Sequence, residues 1–291
     1  MANGREAAAL RVRLPDAFEP RKRIYGVLLD AHGVLFEPIG CSHIELQKRL
    51  LEEVLGRKID TPARELATRV RTRRLEAAKR FPLSQLGSVE AWGWTNAAEF
   101  GEEFGLTEEL GRELSRRISK PELYEMKRKT HDWLRWLLER KFPFRSTDGC
   151  FIATASNSEA VIVDALLYKS GHRDHFRYII TADRLGNIYK PSGEYFRALI
   201  EVVNRGQAQI GSPPITPSEL LFIGNSIMND APAAEVGINV VILRDSSETL
   251  TEAQISEYLG PIKDQILWAQ GWKDARRKID QRFRRPKPQD R

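Results

Sequence analysis

The chain has 291 residues, 41% hydrophobic and 30% charged, the balance of a globular protein long enough to bury its own core. No apolar run approaches the ~20 residues that a membrane-spanning helix needs, so no membrane partner is expected. Two cysteines far apart, Cys41 and Cys150, exclude a disulfide framework or a cysteine metal knuckle and point to a reducing, intracellular compartment.

The net charge of +6 is confined to residues 273–291, where nine Lys/Arg meet three acids, while the remaining residues carry 37 of each sign. At the other end, residues 1–23 form an arm with six Lys/Arg and three acids and lack the apolar core of a secretory signal. Arg5, Arg11 and Arg13 in an Ala-rich start have the character of a mitochondrial presequence. Glu6, Asp16, Glu19 and the shortage of Ser oppose it. Cytoplasm and mitochondrial matrix both stay open.

Residues 24–36 read Ile-Tyr-Gly-Val-Leu-Leu-Asp-Ala-His-Gly-Val-Leu-Phe. Val27, Leu28 and Leu29 predict a buried parallel strand. Asp30 ends it, at the strand end where open α/β sheets bind ligands, and Gly33 turns the chain away. Alone, the stretch reads equally well as a strand stopping at a polar cap.

Residues 41–140 predict helices almost throughout. Ser42-His43-Ile44-Glu45 is a capping box, followed by Leu46, Leu50, Leu51, Val54 and Leu55 at helical spacing and by Gly56 as a stop. Thr61-Pro62 opens a second helix that carries Arg64, Arg69, Arg71, Arg73, Arg74, Lys79 and Arg80. Arg69 and Arg73 share a face that suits an anionic substrate or RNA, although a solvated face is the simpler reading. Trp92, Trp94 and Phe100 follow, then a helix from Thr107 and another with Trp133, Leu134, Trp136, Leu137 and Leu138. These aromatics read as the core of a helical layer rather than a cofactor box.

From residue 149 strands alternate with helices, which predicts a parallel sheet covered on both faces. Strands are expected at 151–153, 178–181, 220–223 and 240–243, and helices at 159–169, 193–204 and 231–236. The span 207–216 reads as a loop, 246–272 as a helical extension and 273–291 as a basic tail. That tail's cations, Arg276, Arg277, Lys278, Arg282, Arg284, Arg285 and Lys287, suit RNA or a ribonucleoprotein. A solvated, disordered end is the bland alternative.

Four stretches in order resemble the haloacid dehalogenase (HAD) superfamily of hydrolases. They are Asp30-Ala31-His32, Ser156-Asn157, Lys190-Pro191, and the acidic loop from Gly224-Asn225 to Asp230. The resemblance covers about residues 24–243. It implies a HAD-like, Rossmann-like α/β core of residues 24–40 and 145–245, with an all-helical cap domain of residues 41–144 inserted between the first two motifs. It implies Mg²⁺ as cofactor and a small phosphorylated substrate. Asp30 would be the covalent nucleophile. Ser156 and Asn157 would bind the substrate, and Lys190 would neutralise developing charge. Asp30, Asn225 and Asp230 would be the metal positions. Each role has a plain rival: Ser156 capping the next helix, Lys190 on the surface, Asp230 as a helix N-terminal charge.

Two positions depart from the phosphatase pattern. His32 stands at the general acid/base Asp, and Asn225 at a metal-binding carboxylate, where a neutral amide weakens Mg²⁺ binding. Three readings follow. The first is phosphomonoester hydrolysis through an aspartyl-phosphate, with His32, whose ordinary pKa is ~6.5, as proton donor. The second is a catalytically silent HAD-fold protein serving an RNA-rich assembly such as a mitochondrial ribosome. The third is a metal-free hydrolase like the 2-haloacid dehalogenases, which carry Tyr at the His32 position. Those enzymes also carry Asn three residues before the last Asp, where this chain has Ile227, and that difference speaks against them.

Overall fold

Val27, Leu28 and Leu29 lie in the middle of the molecule, on strand β2 (Gly26–Leu29), every residue of which is buried. The structure, a computed structural model, describes residues 22–78, 96–97, 100–101, 103–139, 151–244 and 251–284. β2 pairs in parallel with β5 (Phe151–Ser156) on one side and with β7 (Leu220–Gly224) on the other. β6 (Phe176–Thr181) extends the first side, and β8 (Asn239–Leu243) and β9 (Ile266–Ala269) extend the second, giving six parallel strands in the order β6-β5-β2-β7-β8-β9. Counted by succession along the chain this is third-second-first-fourth-fifth-sixth, the doubly wound order. Its crevice opens where the winding reverses, between β2 and β7. Asp30 and the 225–230 loop are therefore neighbours by topology.

Alternate residues of each strand feed different layers. Val27, Leu29, Ile152, Leu221, Ile223 and Val241 join the core that also holds apolar residues of the helices Ala160–Lys169 and Gly271–Arg282. Leu28, Ala153, Phe222, Val240 and Ile242 join the core on the opposite face. That second layer contains the helix Gly193–Gln209.

The helical half begins as the sequence predicts. Helix α1 (His43–Leu55) is held by a reciprocal capping box, with the Glu45 N–H donating to Ser42 Oγ at 3.3 Å and the Ser42 N–H to Glu45 Oε2 at 2.7 Å. Ser42→Ala is expected to cost about 1 kcal/mol, measured as a lower midpoint in urea. Helix α2 (Ala63–Ala78) follows. α3 (Glu108–Ile118) is capped by Thr107, and α4 (Arg128–Glu139) carries Trp133 and Trp136. Phe100 is buried among these helices, as expected. Trp92, Trp94, Lys79, Arg80 and Cys150 lie outside the described residues.

The C-terminus differs from the sequence reading. The span read as a helical extension holds the helix Glu252–Leu259, as expected, but also contributes the sixth strand, β9, to the sheet. What read as a basic, solvated tail is a helix, Gly271–Arg282, up to Arg282. Its apolar series Ala275, Ile279 and Phe283 is buried. Phe283–Arg284 (β10) then pairs in parallel with Lys22–Arg23 (β1), while Glu37–Pro38 (β3) and Tyr124–Glu125 (β4) pair antiparallel elsewhere. Trp272 stacks on Trp133 of α4 at 4.2 Å between ring centroids, and Arg276 lies 5.0 Å over the Trp136 ring. The dense Lys/Arg content hid a four-residue apolar repeat, which is the signature of a packed helix face.

Candidate active site

The site is built on one buried ammonium. Lys190 is 2% exposed, and its Nζ donates to Asp30 Oδ1 at 2.8 Å, Asp230 Oδ1 at 2.6 Å and the Ala155 carbonyl at 3.0 Å. An ammonium has three N–H donors, so all three are used within the fold. The backbone around it is fixed by Asn157. Its Oδ1 accepts from the Lys190 N–H at 2.8 Å, and its Nδ2 donates to the Lys190 carbonyl at 3.0 Å. Asn157, expected to bind substrate, thus spends both ends of its amide on positioning Lys190. The Lys190–Pro191 peptide is cis.

Asp230 is fully buried, and its other oxygen is taken as well. Oδ2 accepts from the Asn225 and Ser226 N–H groups at 3.1 and 2.9 Å. Gly224 makes this possible, because a Cβ there would collide with the Asp230 carboxylate. Asp30 is the more open carboxylate, with its side chain 13% exposed. Burial pushes its carboxyl up to about 7, with the Asp230 charge adding to the rise and Lys190 opposing it. The two carboxylates hold the Lys190 ammonium above its usual range in spite of burial. One ammonium between two carboxylates leaves the cluster with a net charge of about −1 when both are ionised.

His32 leaves the β2 end two residues after Asp30. Its Nδ1 lies 3.0 Å from Ser158 Oγ, and its ring meets Tyr124 edge-on at 4.6 Å and His43 at 6.2 Å. Burial lowers its pKa to about 3, with His43 and Lys190 contributing. Burial thus disfavours the charged ring that proton donation near neutrality would require. Burial likewise raises the Tyr124 hydroxyl above its usual range.

Ser156 is buried and its Oγ accepts from the Ser158 N–H at 3.1 Å. It does not cap the following helix, Ala160–Lys169. The Ala160 N–H donates instead to the Asp183 carboxylate, at 3.1 and 3.2 Å. Ser158, Asp183, His43 and Tyr124 complete the surroundings and were not singled out from the sequence. Ser158 carried a weak signal, its hydroxyl two residues from Ser156. Asp183 and Tyr124 carried none, because only the tertiary fold brings them near.

The donor set does not fit Mg²⁺. That ion needs hard oxygens, chiefly carboxylates, in octahedral array. Both Asp230 oxygens and one Asp30 oxygen are already engaged. Asn225 offers an amide, whose Nδ2 lies against Gly33, a residue at φ +83° with no room for a Cβ. No group of three or more His, Cys, Asp or Glu side chains converges on a metal position among the described residues.

The cations expected to meet RNA are partly spent on the fold. Arg276 stacks on Trp136, Arg277 and Lys278 bridge to Asp274, and Lys278 also donates to the Trp268 carbonyl. Arg282 lines an open groove of about 370 Å³ beside Trp268 at the β9 edge. Arg284 pairs through its backbone with Arg23, and Arg285 and Lys287 lie outside the described residues. Arg69, on α2, bridges Glu65 and Glu103. No described helix is long and apolar enough to cross a membrane.

Fold and site together define a doubly wound α/β protein with an aspartate–lysine–aspartate cluster at its switch point. The sequence profile of the haloacid dehalogenase-like hydrolase family matches residues 24–237, and the chain belongs to that family. A search of curated proteins finds no match. Solved structures do resemble it. The HAD hydrolase YfnB of Bacillus subtilis, bound to magnesium, is 16% identical with a TM-score of 0.59, over 89% of this chain and 100% of that one. A HAD family hydrolase of Deinococcus radiodurans with bound phosphate and sodium is 16% identical with a TM-score of 0.56, over 89% and 96%. The L-2-haloacid dehalogenase RSc1362 is 15% identical with a TM-score of 0.55, over 88% and 99%. At such identities the likeness shows the fold alone.

Proposed function

We propose that this chain is a hydrolase that forms a covalent ester on Asp30 without a resident Mg²⁺, at a carbon centre rather than a phosphate dianion. The observation that carries this is the saturation of the Lys190 cluster: the one ammonium beside Asp30 is already shared between Asp30 and Asp230. A phosphate monoester dianion approaching an ionised Asp30 would meet a net negative site, and the usual remedy is a metal ion bridging the two anions. Here a carboxylate needed for that metal is Asn225, and Asp230 has no free oxygen. A carbon electrophile carries no such charge at the reacting atom. L-2-haloacid dehalogenases, by their name, act on substrates of that kind, and one of them shares this fold. Ile227 is buried in the core and offers no polar group. The amide of this loop is carried by Asn225 instead.

In the first step an Asp30 oxygen attacks carbon, and the leaving group departs with the bonding electron pair. Water then attacks the ester carbonyl, releasing an alcohol and one proton and restoring Asp30. Lys190 stabilises the carboxylate that is consumed and reformed.

The test offers 2-bromopropionate and 4-nitrophenyl phosphate to the full chain, with EDTA or with Mg²⁺. The expected result is bromide release that is unchanged by EDTA and abolished in Asp30→Asn, with an ester on Asp30 detectable by mass spectrometry. Asp30-dependent phosphate release that requires Mg²⁺ would overturn the reading in favour of a phosphomonoesterase. No turnover of either compound would overturn it in favour of a fold retained without its chemistry.

A further inference from the structure

We propose that the paired strands β1 and β10 bring cations from both ends of the chain into one docking surface for a single-stranded nucleic acid, held through its phosphate backbone. This surface lies at the other end of the sheet from Asp30. Lys22–Arg23 precede β2, at the amino ends of the strands, whereas Asp30 follows it. The inference therefore does not rest on the ester chemistry.

In the sequence these cations stand at opposite ends. The fold puts Lys22 in register with Phe283 and Arg23 with Arg284, on strands about 4.8 Å apart. Residues 21–23 and 282–287 together hold seven Lys/Arg and no Asp or Glu. Phe283, buried in the core, anchors this ribbon. The turn Pro217–Glu219 packs against β1. Its Glu219 carboxylate is held on its own turn, accepting from the Thr216 N–H and hydroxyl, both at 2.8 Å. Arg282 is exposed and forms no ion pair with a described residue. With Gln281 it also lines the groove of about 370 Å³ at the β9 edge, so the patch continues from the ribbon into a groove.

Three kinds of polyanion suit a basic patch, and the rest of the surface selects among them. A helix that holds an anionic membrane also lays an apolar face into the lipid. Here the apolar stripe of Gly271–Arg282 is turned inward and buried. A protein partner needs an apolar centre to its interface. The exposed large hydrophobics among the described residues are Ile39, Val161, Tyr168 and Ile210, and none belongs to this ribbon or its helix. A nucleic acid needs neither feature, because its phosphates lie outermost and the release of their counterions drives binding. A ribbon two strands wide tracks one phosphate backbone, as single-strand binders do.

Fluorescence anisotropy of a labelled oligouridylate of about 15 nucleotides, titrated with the full chain, tests the point. Binding is expected to weaken with salt. The slope of log K against log salt should be about −3, because Lys22, Arg23, Arg282 and Arg284 would each contribute about 0.7. The double variant Lys22→Glu/Arg23→Glu is expected to lower affinity at least about 10-fold at about 50 mM salt and to flatten the slope by about 1.4. Arg282→Glu/Arg284→Glu is expected to do the same from the other strand. Arg64→Glu/Arg205→Glu changes the net charge equally at exposed positions on other helices, and should shift affinity by less than about 3-fold. Alanine pairs remove the same contacts without repulsion and serve wherever a reversed pair fails to fold. Asp30→Asn is expected to bind the oligonucleotide unchanged, which separates this surface from the catalytic reading. No binding at low salt, or equal losses from the control pair, would overturn the inference. Loss from the Arg282/Arg284 pair alone would overturn it too, because the surface would then not be built from both strands. Vesicles of phosphatidylcholine and phosphatidylserine are expected to stay unbound. Sedimentation with them that either ribbon pair abolishes would overturn the reading in favour of a membrane.

Discussion

Lys190→Met is expected to destabilise the fold by about 3–5 kcal/mol, the cost of leaving buried carboxylates without their cation. Methionine fills nearly the same volume, so the loss is electrostatic rather than a cavity. Asp230, fully buried, would face Asp30 across the vacated ammonium position. The Ala155 carbonyl would also lose its donor. Asp30→Asn should behave very differently. Asp30 is the more open partner, and its ionised form is disfavoured by burial. Removing its charge leaves a balanced Lys190–Asp230 pair, so stability should hold or rise by up to about 1 kcal/mol while turnover disappears, the trade expected of a strained catalytic group. Urea titrations of the two variants side by side check this. A Lys190→Met variant as stable as the unsubstituted chain would show that the cluster is solvated and that its saturation is no argument about metal or substrate.

The residues of this cluster are legible in the sequence. Asp30, Lys190 and Asp230 are each announced by local grammar: an apolar run cut off by a carboxylate, a lysine before proline, a carboxylate after a glycine loop. Doubly wound topology then obliges these strand ends to meet. What the sequence lacked was the number of bonds each group makes. It cannot show that Asn157 clamps the Lys190 backbone or that both Asp230 oxygens are consumed. Those facts decide between a metal site and a closed ion cluster. His32 shows the same limit. A histidine reads as a proton donor from its ordinary pKa, and its burial beside Tyr124 and Ser158, which opposes the charged form, shows only in the fold. The C-terminal helix departs from the sequence expectation for a compositional reason. Charge density suggested a solvated tail, whereas Ala275, Ile279 and Phe283 at every fourth position pack against the molecule. Periodicity was the better guide there, because burial needs one apolar stripe and tolerates any number of cations on the other face.

Acid should separate two opposed titrations that the unsubstituted chain conceals. Asp30 has its folded pKa raised to about 7 from 3.8. It therefore contributes stability that is fully present below pH 3.8 and lost as pH rises through 7. His32 has its folded pKa lowered to about 3 from 6.5. The unfolded chain takes up that proton first, so stability falls as pH drops from 6.5 toward 3. Each contribution is on the order of 4 kcal/mol at full extent, and between pH 7 and 4 they largely cancel. His32→Gln leaves the Asp30 contribution alone, so relative to the unsubstituted chain its stability should climb by a few kcal/mol as pH falls from 7 to 4. Asp30→Asn leaves the His32 contribution alone and should fall by a similar amount over the same range. Surface carboxylates are common to all three proteins and drop out of the differences. Lys190, Asp230 and His43 face the two groups in each case, and the ammonium stays charged throughout this window. Equilibrium unfolding at several pH values reads the two slopes. Parallel curves for the three proteins would mean that water reaches Asp30 and His32 and holds both near their ordinary pKa values. In that event His32 would again be a candidate proton donor, and the first-named phosphatase chemistry would regain its acid.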